Sequence, residues 1–303
     1  MLFIFCFRIE AQISSPELIL ELNIANDMTY FTDQYFSSGI QLKVFAPFMS
    51  KSPFNKILIP HRKEARAYYA LTFTHNMYTP IYIDTISQRS IDHPFAAYIL
   101  FGNRKDTYNE NQRNKVTSEL QIGVIGSLAG GQVFQNTMHE HIPIAGPVKG
   151  WENQIFNDLC FQYSALLEKG ILDAQWLEFN AFGGVRLGLP HTEAQLGMYS
   201  RFGYFDDYFQ HIGINKNRNW QFWLFLAGDV NFVAYNAVLQ GGLFNTGNKY
   251  TLASINHFLW HTKFGGSLVY KTIKLEIAQE VITPSFPTAL WHRWAYVSLM
   301  FGF

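Results

Sequence analysis

Apolar and polar residues alternate one by one along much of this chain, and that period of two limits the fold more than any other feature. Leu18, Leu20, Leu22 and Ile24 alternate with Glu21 and Asn23, and Ile40, Leu42 and Val44 with Gln41 and Lys43. Leu71 and Phe73 alternate with Thr72, Thr74 and Asn76. Leu159, Phe161, Tyr163, Ala165 and Leu167 alternate with Asp158, Cys160, Gln162, Ser164 and Glu168; Leu177, Phe179, Ala181, Val185 and Leu187 alternate with Glu178, Asn180 and Arg186. Side chains of a strand point alternately to its two faces, whereas a helix of period 3.6 would not collect these residues on one side.

A soluble β-sandwich, with one face hidden and one wetted, gives the same alternation. Two features favour a membrane barrel. The segments run to about ten residues, enough to cross a bilayer at a tilt, whereas soluble strands average nearer five or six. The chain also closes on Trp291-His-Arg-Trp-Ala-Tyr-Val-Ser-Leu-Met-Phe-Gly-Phe303, an alternating strand with an aromatic end. Composition agrees: hydrophobic residues make up 48% and aromatics 17%, yet mean hydropathy is only −0.03, so the apolar side chains are evenly diluted. That is expected of strands shared between lipid and a polar lumen. No apolar run approaches the roughly 18 residues of a spanning helix. A membrane location therefore requires a closed barrel, because unpaired backbone groups are too costly in hydrocarbon. Zero formal net charge gives no support for a nucleic-acid partner.

The pattern predicts an all-β, antiparallel up-and-down transmembrane barrel of about twelve strands. They lie near 17–26, 38–47, 65–76, 94–102, 116–125, 158–168, 175–188, 194–204, 219–231, 260–269, 273–282 and 291–303. An even number puts both chain ends in the periplasm. Segments 27–37, 77–93, 126–157, 189–193, 232–259 and 283–290 then face outward, and the tight connection at 169–173 faces the periplasm. The connections at 48–64 and 103–115 are long for periplasmic turns. Residues 15–303 read as one domain, without repeats. Residues 1–14 resemble the tail of a secretory signal peptide, with an ordinary N-terminal extension as the alternative. With only Cys6 and Cys160, no disulfide framework is expected.

Two stretches carry the chemistry. The first is Asn26-Asp27-Met-Thr-Tyr-Phe-Thr32-Asp33-Gln-Tyr35-Phe-Ser37-Ser38-Gly39, a polar connection whose residues also suit simple turns. The second is Ile122-Gly-Val-Ile-Gly126-Ser-Leu-Ala-Gly130-Gly131-Gln132-Val-Phe-Gln135-Asn136-Thr-Met-His139, a glycine-rich break leading into a short helix at 132–141. Gly150-Trp151-Glu-Asn-Gln154 follows it. The run lacks the Gly-Lys-Ser/Thr ending of a phosphate-binding loop. On the strand scheme Asn26, Asp27, Ser37 and His139 all fall at the outer end of the barrel. An imidazole of near-neutral pKa can take a proton from water. A carboxylate and an amide oxygen can hold a hard cation such as Ca²⁺, which polarises an ester carbonyl.

The Asn-Asp and Thr-Asp-x-Tyr-x-Ser-x-Gly pattern at 26–39 resembles the N-terminal motif of the lipid A 3′-O-deacylase family. Gly-Val-Ile-Gly-x-x-Ala-Gly-Gly-Gln-x-x-Gln-Asn-x-x-His at 123–139, with Gly-Trp-x-x-Gln at 150–154, resembles its central motif. Beyond about residue 170 only the barrel pattern is shared. The resemblance implies a twelve-stranded barrel of the bacterial outer membrane, requiring a divalent cation, usually Ca²⁺. It implies lipid A of lipopolysaccharide as substrate, surrounded by outer-membrane lipid, with the 3′-linked acyloxyacyl ester hydrolysed. The implied route is similar to that of secreted phospholipase A2 and has no covalent acyl-enzyme. By position, His139 would be the general base that activates water. Asn26 and Asp27 would bind the cation or orient the ester, and Ser37 would replace a family threonine. Met28 stands where the family can have an acidic residue, and His93, within Asp92-His93-Pro94-Phe95-Ala96, where it tends to have Arg. A monomer is expected.

Other candidates read as structural. His141 would point away from His139 on a helix, and His257 and His261 could share a helix face without enough ligands for zinc. Lys63, Arg104, Lys105, Arg113 and Lys115 read as solvated loop charges, and Glu178 and Arg186 as a pair inside the lumen. Two competing functions stay open: an outer-membrane phospholipase with a serine nucleophile, and a non-catalytic barrel or pore.

Overall fold

The computed structural model describes residues 18–30, 32, 34–81, 92–140, 148–214, 219–248 and 250–303, so residues 1–14, Phe31, Asp33 and His141 lie outside the described residues. Twelve strands form the wall: β1 (Ile19–Asn26), β2 (Tyr35–Phe45), β3 (Arg66–Thr79), β4 (Ala96–Asn109), β5 (Asn114–Ile125), β6 (Asp158–Ala174), β7 (Leu177–Gly188), β8 (His191–Tyr204), β9 (Trp220–Asn236), β10 (Phe258–Tyr270), β11 (Ile273–Ile282) and β12 (His292–Gly302). Each pairs antiparallel with its sequence neighbours. β1 also pairs with β12, from Ile19↔Gly302 to Asn26↔Ala295, which closes the barrel. The described α-helices are α1 (Gly131–Glu140) and the single turn α2 (Ala237–Gln240).

Alternation sorts each strand between lipid and lumen. In β9, Trp220, Phe222, Leu224 and Leu226 are exposed on the wall, while Gln221, Trp223, Phe225, Ala227, Asp229 and Asn231 are buried inside. The exposed face supplies apolar area to the hydrocarbon, and the inner face pairs its polar groups with one another.

Five sequence expectations need correction. The long connection at 103–115 is instead strand on both sides of a tight 110–113 turn, and the 169–173 turn moves to 175–176, past the end of β6. Arg104 and Lys115 are not loop charges: inside the lumen, Arg104 Nε sits 2.9 Å from Asp106 and Lys115 Nζ 2.8 Å from Glu168. Lys105 is buried too, on the outward side of β4, where its Nζ donates to the Ile59 carbonyl at 2.7 Å. Glu178 and Arg186 do not pair with each other. Each takes the residue opposite it on β8, Arg201 and Glu193 respectively. Finally, His261 belongs to strand β10, so it shares no helix face with His257. It sits between Asp229 at 3.0 Å and Glu280 at 2.9 Å.

Both ends of the lumen are filled. From the outer end, α2 and the segment after it bring Val238, Leu239, Leu252 and Ile255 into a cluster with Tyr98, Leu100, Cys160 and Phe286. From the periplasmic end, the segment after β8 packs Phe205, Ile212 and Ile214 against Tyr108, Trp223 and Phe225. Between them a charged cavity of about 420 Å³ remains, lined by Glu21, Lys43, Arg104, Asp106, Lys263 and Glu276 among others. This is a packed interior, which removes the support for an open pore.

The periplasmic plug hangs on Arg201. Its Nε lies 2.7 Å from Glu178, its guanidinium stacks 4.0 Å over Phe205, and Nη2 donates to the Asp206 carbonyl. Breaking a buried pair strands the remaining charge. Arg201→Ala should therefore lower unfolding stability by about 3 kcal/mol in urea titration, whereas Lys271→Ala in an exposed turn should leave it unchanged.

Candidate active site

The outward face of β1 carries Leu20, Leu22 and Ile24, and then turns polar at Asn26. Asp27, one residue on, is buried and organises the connection to β2. Its Oδ2 accepts from Thr32 Oγ1 at 2.8 Å and from the Gln34 amide at 3.0 Å, while its carbonyl accepts from the Tyr30 amide at 2.9 Å. An aspartate suits the place because its short carboxylate can gather backbone and hydroxyl donors that a turn leaves unpaired.

Strand β2 then breaks its alternation. Between Phe36 and Ser38 the register against β3 shifts, so Ser37 is an extra, bulged residue. Phe36 packs on Trp294 and Tyr78 inside the barrel. Ser38 pairs with Asn26 on one side and Met77 on the other, both outward-facing. Bulging brings the extra residue beside its neighbour on the same side of the sheet. Ser37 Oγ accordingly meets Thr79 Oγ1, at the outer end of β3, at 2.5 Å.

Asn26, Ser38, Met77 and Ala97 thus form a row across β1 to β4 on the outside of the wall. Three strand spacings make it about 14 Å long. Helix α1 lies over the far half of that row. Gly131 is pressed against Ala97 and Trp151 so closely that an added Cβ would come within 2.7 Å of each. One turn later, Phe134 packs edge-on against the His75 ring of β3 at 5.2 Å, and His75 Nε2 lies 3.1 Å from the Ala129 carbonyl. These anchors lead the helix from β4 over β3, and its last turn, with half-buried His139, continues on that outward side. A compact apolar layer of Met77, Phe95, Ala97, Ala129, Val148 and Trp151 binds helix to wall.

The structure therefore places Asn26, Asp27 and Ser37 together at the rims of β1 and β2, and His139 on the helix that covers the neighbouring wall. The helix begins at Gly131 and its described part ends at Glu140, close to the expected 132–141. Several supporting residues carried no role in the sequence reading. Gln135, fully buried, accepts from Trp151 Nε1 at 2.6 Å, and Asn136 Oδ1 accepts from the Val148 amide at 3.3 Å, tying α1 to the following segment. Both lie within the central motif, so a glutamine and an asparagine on a helix facing an apolar wall were the available signal. Thr79 and His75 had none.

His93 does not reach this face. It is buried against the interior aromatic cluster, stacked parallel to Tyr78 at 5.4 Å and beside Tyr35 and Phe286. Its Nδ1 donates to the Pro94 carbonyl at 2.6 Å. Burial pushes its pKa down to about 4, the nearby His292 adds to the fall, and the Pro94 bond opposes it. The ring is neutral at pH 7 and supplies no cation in place of the family's arginine.

A family model described as outer membrane protein LpxR matches residues 1–303. Among solved structures, LpxR from Salmonella typhimurium aligns with a TM-score of 0.75 at 17% identity, over 94% of this chain and 100% of that one. The likeness establishes a shared barrel fold. The β domain of the Bordetella autotransporter BrkA aligns at a TM-score of 0.47 and 10% identity, over 96% of this chain and 100% of that one. No curated protein sequence matches.

A neutral buried histidine makes folding pH-dependent. His93 has a folded pKa below its unfolded value of 6.5, so the unfolded chain binds more protons between the two. Its contribution is complete above pH 6.5 and falls as pH drops toward 4, by about 2 kcal/mol at pH 5. Thermal unfolding at pH 7.5 and pH 5 should show His93→Phe losing less stability on acidification than the wild type. Equal losses would exclude His93 as a source.

Proposed function

Because the chain belongs to the outer membrane protein LpxR family, we propose that it is a lipid A deacylase, hydrolysing the 3′-linked acyloxyacyl ester of lipopolysaccharide. The observation that carries this reading is the side of the wall on which the motif residues lie. Asn26 and the Ser37–Thr79 pair face outward, where α1 shelters the adjoining strands. A lipid in the outer leaflet can approach such a site laterally, without entering a lumen that is filled at both ends.

His139 would act as general base, taking a proton from water as it attacks the ester carbonyl, and then returning it to the leaving alkoxide. Asp27 would serve twice, ordering the β1–β2 connection through Thr32 and Gln34 and offering carboxylate oxygen to the site. The donor set at this rim is an amide oxygen from Asn26 and carboxylate oxygen from Asp27, and oxygen donors suit a hard ion such as Ca²⁺. When bound, the ion would polarise the carbonyl and stabilise the developing oxyanion.

Serine catalysis finds less support. Ser37 is buried and its hydroxyl engages Thr79 rather than an imidazole, which leaves it without the base that a serine nucleophile needs. A role in shaping the rim is consistent with its replacing a threonine.

Mass spectrometry of lipid A from cells expressing the chain should show loss of one 3′ acyloxyacyl unit, abolished by chelation and restored by Ca²⁺. His139→Ala should slow the reaction by at least about 10²-fold, whereas Ser37→Ala should weaken it and leave measurable turnover. Unchanged lipid A with the barrel folded in the outer membrane would exclude this reaction on that substrate, and a dead Ser37→Ala with an active His139→Ala would favour a serine mechanism.

A further inference from the structure

The connection between β2 and β3, residues 46–65, does not hang below the barrel as a periplasmic loop would. It folds back along the outward face of the wall. The Ile59 amide donates to Ser118 Oγ at 3.1 Å, Asn103 Nδ2 donates to Asn55 Oδ1 at 2.8 Å, and Tyr163 Oη donates to the Ile57 carbonyl at 3.3 Å. With the Lys105 bond to Ile59, these contacts cross β4, β5 and β6. Strand alternation puts Asn103, Lys105 and Ser118 on the outward side, because their neighbours Arg104, Asp106, Thr117 and Glu119 bond one another in the lumen, and Tyr163 shares that side as the partner of Leu120. Leu58, within the segment, is buried.

The segment's free surface has two characters. Phe48 and Phe54, on two short 3₁₀ turns at Pro47–Lys51 and Pro53–Lys56, and Ile57, just after the second, are 53–67% exposed. Lys51, Lys56, Arg62 and Lys63 are also exposed, and Glu64 is the sole acidic residue between 46 and 65. Large apolar side chains beside a cluster of lysine and arginine, lying flat on the wall at the edge of the lipid-facing band, are the ingredients of an interfacial anchor. The opposite, outer end of the barrel bears the candidate active site, so this belt meets the other leaflet.

We propose that segment 46–65 is a docking collar for anionic glycerophospholipid of the periplasmic leaflet, with Phe48, Phe54 and Ile57 entering the acyl layer and Lys51, Lys56, Arg62 and Lys63 holding the phosphate groups. Charge complementarity selects this occupant: a net excess of three positive charges on a short surface segment attracts anionic head groups over zwitterionic ones. The assignment does not rest on the deacylase reading.

The test uses the full chain folded in detergent micelles, offered equal amounts of dioleoyl phosphatidylglycerol and dioleoyl phosphatidylethanolamine and examined by native mass spectrometry. The wild type should retain phosphatidylglycerol at least about tenfold over phosphatidylethanolamine. The combined variant Lys51→Gln, Lys56→Gln, Arg62→Gln and Lys63→Gln should bring the ratio toward one, while Lys169→Gln in β6 with Lys271→Gln in the β10–β11 turn, both toward the same end, should not. Equal retention by the wild type, or equal loss in both variants, would overturn the proposal. A second measurement needs no variant. Trypsin should cut the wild-type segment at its four basic residues more slowly in phosphatidylglycerol vesicles than in phosphatidylcholine vesicles, and equal rates would count against the collar.

Discussion

Every backbone donor and acceptor that enters hydrocarbon must find a partner within the protein, and in this chain the last partners are supplied by the β1–β12 seam. Eight residues of β1 meet eight of β12 in unbroken register. With that seam formed there is no strand edge, and the wall can spend its outward side chains on lipid. The interior is then obliged to be polar or packed, since alternation turns every second residue inward. Arg104, Lys115, Arg186 and Arg201 each meet carboxylates there, and two capping segments close the ends.

Outward polar residues are the exceptions to that rule, and two groups of them are covered. At the periplasmic end, Asn103, Lys105 and Ser118 lie under segment 46–65. At the outer end, His75 lies under Ala129 and Phe134. A polar group facing lipid without a partner is costly, so each cover must be held firmly. The first is fixed by hydrogen bonds to the wall, the second by an apolar layer around Trp151.

All twelve strands could be located from alternation because most of their outward faces are apolar. The failures are equally physical. Residues 103–109, Asn-Arg-Lys-Asp-Thr-Tyr-Asn, read as a loop because both faces of β4 are polar there, one toward the lumen and one toward its cover. Segment 48–64 looked too long for a turn because it is a wall cover. Glu178 and Arg186 share a face of β7, but eight residues of strand separate them by roughly 26 Å, and charge partners are chosen across strands. The motif residues Asn26, Asp27, Ser37 and His139 were visible as a set. Their side of the wall was not, since strict alternation would group Ser37 with Gly39, Gln41 and Lys43, whose β2 positions turn inward.

The bulge at Ser37 is a change of parity. Below it β2 turns its odd-numbered residues inward, as Lys43 does toward Glu21; above it the even-numbered Phe36 is inside. Regular strands offer one outward side chain per about 7 Å. At the parity change two consecutive hydroxyls, Ser37 and Ser38, share the outer face, doubling the local density of hydrogen-bonding groups where the wall leaves the acyl region. Deleting Ser37 would restore uniform parity and leave one outward hydroxyl where the bulge now places two.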